Sequence, residues 1–278
     1  MRLFSPRLLC LLSAMLLFLG SPAQGMITHD SSANHSSEAS LKEMLISLGF
    51  RKVFPYWKNV GQIERSTGIY LGNGFVLTAA HVGAGAFRTS DGRSYSSDSS
   101  DVHYFKNYDG SQADLCLFRI RFQSQDPIAS FPAIPLTTAL PVQGTPQVLL
   151  GAGAGGKERG KRFAWNDDYH VRWGINVIEE IYSVPMPTSQ YSSFGFATKF
   201  ERHSMDSQAA PGDSGGGVFF FNESKKRWEL SGVIVAVDSR FGGADFGNQT
   251  YIADPALFRQ RLAISKGVRA ALIPTSAP

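Results

Sequence analysis

Apolar residues in this chain come in short runs, and glycine or proline interrupts most of them. Twenty-eight glycines and 14 prolines are scattered through 278 residues, which leaves little room for long amphipathic helices. Short apolar runs bounded by turn residues are the pattern of strands and predict an all-β chain. The runs at 75–80, 115–118, 147–150, 171–181, 217–221 and 228–237 are read as strands, and the polar stretch 222–226 as a hairpin loop. Asn73-Gly74 ahead of the first run is a strong hairpin signal, because both residues tolerate positive φ. Apolar residues at helical spacing predict a short helix over 41–53 and a closing helix over 255–262. With 43% hydrophobic residues, the chain can bury a sizeable core.

Chemistry concentrates at three places. The run Gly212-Asp213-Ser214-Gly215-Gly216-Gly217 lacks a side chain at four of six positions. Such a turn reaches positive φ and lets backbone N–H groups approach a bound carbonyl. The amides of Gly212 and Ser214 are therefore candidates for an oxyanion hole. A serine hydroxyl needs a base within reach, and the base needs an orienting carboxylate. His81 ends the run Phe75-Val76-Leu77-Thr78-Ala79-Ala80, whereas the histidines at 29, 35, 103, 170 and 203 lie in polar or loop-like surroundings. Asp114 opens the apolar run Leu115-Cys116-Leu117-Phe118, whereas the aspartates at 91, 98, 101 and 109 are read as loop residues. Taken singly, each context has a plain alternative: a core histidine, a strand cap, a flexible glycine loop. Taken in the order His81, Asp114, Ser214, they point to nucleophilic acyl transfer.

Thr78-Ala79-Ala80-His81, Ala113-Asp114-Leu115 and Gly212-Asp213-Ser214-Gly215-Gly216 together resemble the trypsin/chymotrypsin family of secreted serine endopeptidases. The resemblance spans about residues 60–265. It implies two six-stranded antiparallel β-barrels, the first over 56–135 with His81 and Asp114 and the second over 136–265 with Ser214 and a short C-terminal helix. It also implies a protein or peptide substrate and no cofactor. Asp213 before the serine points to the trypsin-like branch, since the related quality-control proteases usually carry Asn there.

Two departures from the family pattern bear on activation and specificity. Zymogens of the family are cut to free an Ile or Val amine that pairs with the aspartate before the serine, and no such motif occurs here. Asp213 is thus expected to be a buried carboxylate satisfied by an internal group. The family's pocket floor falls on Gln208, which cannot select Arg or Lys by charge, and Val237 replaces the small residue of the pocket wall. A narrower slot for small or medium side chains follows, with Asp238 and Asp245 near enough in sequence to leave a basic preference open. The rival reading is a catalytically silent protein of the same fold acting as a binding module; an esterase would share the chemistry.

The remaining signals are minor. Residues 1–23, with Arg2, Arg7 and the apolar stretch 8–20, read as a signal peptide, cleaved or, as the alternative, retained as an anchor, and imply export to an extracellular or periplasmic space. Its loss changes 27 basic against 23 acidic residues to 25 against 23, a charge of +2 that argues against a dedicated nucleic-acid or membrane surface. Only Cys116 then remains, a buried strand residue by its neighbours, so no intramolecular disulfide forms. Residues 24–55 read as an N-terminal linker and short helix, with 26–40 having no packed role, and 266–278 as a tail. Gly151-Ala152-Gly153-Ala154-Gly155-Gly156 matches a dinucleotide-binding pattern, but polar residues 157–162 follow, so the region is read as a loop. Asn34, Asn222 and Asn248 fit the glycosylation pattern, and no metal-ligand spacing occurs.

Overall fold

Period-two burial organises the first half of the chain. The computed structural model describes residues 24–28, 35–159, 162–188, 190–202, 206–239 and 242–258. Seven antiparallel strands pair in the order Ser94–Tyr95, Phe87–Arg88, Val60–Ile63, Ser66–Gly72, Phe75–Thr78, Gln112–Ile120 and Ser97–Lys106. Alternate residues of the central strands enter different cores, because successive side chains leave opposite faces of a strand. Tyr70, Val76, Cys116 and Phe118 fill the inside of this sheet. Leu71, Leu77, Leu115 and Leu117 face the other way and join Val148, Leu150 and Trp173 of the second half. That shared core is what locks the two halves together.

The second half is a closed six-stranded barrel. Its circuit runs Pro146–Gly151, Arg172–Ile181, Gly195–Lys199, Gln249–Ala253, Arg227–Val237 and Gly217–Asn222. The all-β, chymotrypsin-like double-barrel expectation holds. The first half differs in detail: it has seven strands, and its two edge strands are not paired across the seam. Helix Glu38–Ser47 starts and stops earlier than the spacing predicts. The Ser37 hydroxyl accepts the Ser40 N–H as a cap, and Gly49 at φ +87 ends the helix. Trp173 Nε1 donates to Ser40 Oγ, which pins the helix to the barrel. Residues Pro255–Phe258 form a 3-10 turn where the closing helix was expected to begin, and the rest of that helix lies outside the described residues.

Three polar segments depart from the sequence reading. Ser97–Lys106 is a ten-residue edge strand, so Asp98, Asp101 and His103 belong to a strand and not to loops. An edge strand has one free flank, so its polar residues cost little there and give no apolar signal. The glycine-rich stretch after Gly151 runs into strand Gly155–Arg159, which pairs with Arg162–Trp165 instead of forming a loop. Residues assigned to a linker are also packed. Gln24–Gly25 pairs with Gly155 and Gly156, and Ile27–Thr28 pairs with Ser207–Gln208. Met26 and Ile27 are fully buried, Met26 beside Leu149, Phe196 and Val218 in the barrel core. Ile27→Ala should therefore cost about 2–4 kcal/mol, read as a lower urea midpoint, where an unpacked linker would tolerate the change.

Candidate active site

Sheet register brings His81 to Asp114. Strand Phe75–Thr78 pairs with Gln112–Ile120 so that Thr78 lies opposite Cys116. The strand ends at Thr78, and His81 follows three residues later in a turn beside Asp114. The Asp114 carboxylate is completely buried, yet it is well supplied with donors. Oδ1 accepts the His81 backbone N–H at 3.0 Å, and Oδ2 accepts from His81 Nδ1 at 2.8 Å. Thr188 Oγ1 also donates to Oδ2, at 3.1 Å, and the Asp114 N–H donates to Ser193 Oγ at 2.9 Å. An ionised carboxylate can only accept, so this pair places the proton on Nδ1 and leaves the Nε2 lone pair available. The imidazole itself is about one-third exposed, open on the side away from Asp114.

Ser214 sits in the turn leading into strand Gly217–Asn222 and is partly exposed. Thr67 of the first sheet holds this turn. Its N–H donates to Ser214 O at 2.9 Å, and its hydroxyl donates to Gly212 O at 2.8 Å. The same hydroxyl accepts the Ala152 N–H, and Thr67 O accepts the Thr78 hydroxyl. Gly215 has φ +86, and a Cβ there would lie 2.0 Å from Thr67 O and 2.2 Å from Thr78 Oγ1. Only glycine lets the turn approach the strand that leads to His81. Gly212 has φ +91, and the N–H groups of Gly212 and Ser214 have no acceptor among the described residues. No hydrogen bond joins Ser214 Oγ to His81 Nε2, a contact that often tightens only when substrate binds.

Asp213 points the other way, into the protein. It is fully buried and takes N–H bonds at 2.7 Å from Gly153 on Oδ1 and from Ala210 on Oδ2. Burial pushes its carboxyl up to about 6, against the pull of those two donors and of the Arg172 charge. The Arg172 side chain is buried too, bonded to Gly153 O, Asp168 O and the Asp168 carboxylate, so a cation stands behind the loop that contacts Asp213. Gly151 and Gly153 leave the room this carboxylate occupies, since a Cβ at either would lie under 3 Å from Asp213 Oδ1.

The two specificity candidates lie close together. Gln208 is buried and donates from Nε2 to Asp238 O at 2.7 Å, one residue beyond Val237. Its Oε1 has no partner among the described residues. Val237 is partly buried against the barrel core. Asp245 is engaged by Arg162 at 2.6 Å, and Asp238 Oδ2 accepts the Gln249 N–H. Thr67, Arg172, Thr188 and Ser193 carry no sequence signal of their own, because their partners lie far off in the chain.

The trypsin-like peptidase domain model matches residues 66–233, more than half of the chain. The chain belongs to the trypsin-like peptidase family. No curated protein matches it. Among solved structures, an inactive form of the Rv3671c protease aligns with a TM-score of 0.51 at 15% identity, covering 84% of this chain and 98% of that one. The HtrA-type protease AlgW, solved with a decapeptide, aligns with a TM-score of 0.46 at 16% identity over 73% of this chain. The present chain spans about half of the AlgW chain (52%).

Within this trypsin-like peptidase, Asp213 has a stability signature. A carboxyl raised to about 6 in the folded state binds its proton more tightly than in the unfolded chain. Its contribution is therefore fully present below pH 4 and is lost as pH rises through 6. The difference in unfolding free energy between wild type and Asp213→Asn should shift against wild type by about 2 kcal/mol between pH 4 and pH 7, measured by urea titration.

Proposed function

We propose that the chain is an exported serine endopeptidase in which Ser214 is the nucleophile, His81 the general base and Asp114 the orienting carboxylate. The observation that carries this reading is the buried Asp114 carboxylate gripping both the backbone N–H and Nδ1 of His81. Such a grip fixes tautomer and ring orientation, which is what a base serving a serine hydroxyl requires. Ser214 Oγ attacks the scissile carbonyl carbon and its proton passes to His81 Nε2. The Gly212 and Ser214 amides receive the oxyanion. His81 then protonates the leaving amine, and water, deprotonated by the same nitrogen, releases the acid and restores the serine. The reaction uses no cofactor.

The substrate is a protein or peptide, and Gln208 with Val237 borders the primary pocket. The engagement of Asp245 by Arg162 supports a preference for small or medium P1 side chains over Arg or Lys. Two backbone amides on Asp213, with Arg172 nearby, support folding directly into the active form without a cleaved N-terminal amine. Residues 1–23, outside the described residues, are proposed as the export signal.

Fluorophosphonate treatment of protein starting at Gln24 tests the reading. The adduct should map to Ser214 and vanish in Ser214→Ala, and Asp114→Asn should lower peptide turnover by about 10⁴. An uncut protein that takes no label but gains it after limited proteolysis would overturn direct activation. Protein that takes no label in either state would be a silent relative of the family.

A further inference from the structure

Asp114 is a first-barrel residue, but one of its donors comes from the second half of the chain. Strands Met186–Thr188 and Tyr191–Ser193 form a small hairpin, with Met186 opposite Ser193 and Thr188 opposite Tyr191. This hairpin belongs to neither the closed barrel nor the seven-stranded sheet. It reaches across and holds the Asp114 region at three points. Thr188 Oγ1 donates to Asp114 Oδ2, Ser193 Oγ accepts the Asp114 N–H, and Ser192 O accepts from Asn107 Nδ2. Asn107 begins the turn that leads into the strand of Asp114 and also donates to Ser111 Oγ within that turn.

The donor count on Asp114 shows what Thr188 adds. Oδ1 has the His81 amide, and Oδ2 has His81 Nδ1. Without a further donor, Oδ2 would be a fully buried charged oxygen with the imidazole as its single partner. Both of those donors come from His81, so they fix the carboxylate and the ring relative to each other, and a donor from a second element ties the pair to the rest of the fold. The Thr188 hydroxyl occupies the remaining acceptor direction of Oδ2 and fixes the carboxylate plane. The segment after Ile234 that borders the pocket, Val235-Ala236-Val237, offers no hydroxyl for this purpose.

We propose that Thr188 is a positioning residue of the catalytic apparatus: a hydroxyl supplied by the hairpin of residues 186–193 that sets the Asp114 carboxylate, and through it His81. This rests on the serine-protease reading for its effect on turnover, but the geometry it asserts is independent of turnover. The role makes the triad conditional on the hairpin being seated. Whatever lifts that hairpin would slow acyl transfer without touching the substrate pocket.

The test compares Thr188→Val, which keeps shape and removes the hydroxyl, with Thr188→Ser, which restores it. Peptide turnover should show kcat reduced about tenfold in Thr188→Val with KM nearly unchanged, and recovered in Thr188→Ser. In an Asp114→Ala background, Thr188→Val should have no further effect, since its action passes through that carboxylate. Proton NMR gives a readout that needs no substrate: the downfield resonance of the His81 Nδ1 proton, identified by its loss in His81→Ala. It should shift or broaden in Thr188→Val and return in Thr188→Ser. Thermal unfolding of each variant separates a folding defect from a positioning one. If the proton signal and kcat in Thr188→Val match wild type, or if the Asp114→Ala background leaves the tenfold loss intact, the proposal is wrong. If wild type neither cleaves peptide nor takes a fluorophosphonate, the endopeptidase reading fails, and the proton signal alone then decides whether Thr188 sets the pair.

Discussion

Thr67 holds the turn of Ser214 against the first sheet, and three of its four hydrogen bonds reach the second half of the chain. Its amide and hydroxyl bind Ser214 O and Gly212 O, the hydroxyl receives Ala152 N–H, and its carbonyl receives the Thr78 hydroxyl. Because these groups are buried, each would otherwise be a desolvated polar atom, and such atoms cost about 1–3 kcal/mol apiece when left unmade. The two halves cannot slide past each other without breaking the three bonds to Ser214 O, Gly212 O and Ala152 N–H together, and these bonds hold the turn of Ser214 beside the strand that leads to His81.

The same economy of placement explains the glycines. Gly215 is needed for contact with Thr67, Gly212 for turning its amide outward, and Gly151 and Gly153 for room beside Asp213. The four positions serve three different purposes. A run of glycines read only as flexible misses this: each one stands where a methyl group would collide with a named atom.

The sequence contexts of His81, Asp114 and Ser214 stand out because each adjoins a strongly patterned segment, and strand patterning survives in a single sequence. The central strands were legible for the same reason, being buried on both faces. What was hidden is polar and depends on distant partners. Ser97–Lys106 forms a strand with hardly any apolar pattern, because a neighbouring strand supplies its hydrogen bonds along one flank. Met26 and Ile27 are two apolar residues in a polar stretch, too few to announce a strand; barrel residues bury Met26, and Phe163, Phe200 and Ala244 bury Ile27, all more than a hundred residues later. Thr188 looks like any threonine in a turn, since its partner is 74 residues away.

The pairing of Ile27 with Gln208 has a consequence for how the molecule is assembled. Among the described residues, the first strands emerge earliest in synthesis, yet their partners at 155–156 and 207–208 follow more than a hundred residues later. No amount of early folding can satisfy them. Contacts this distant in sequence make folding slow, because a long loop must close before the contact rewards it. A chain wired this way holds its earliest described strands unpaired until residues 155–156 and 207–208 have been made.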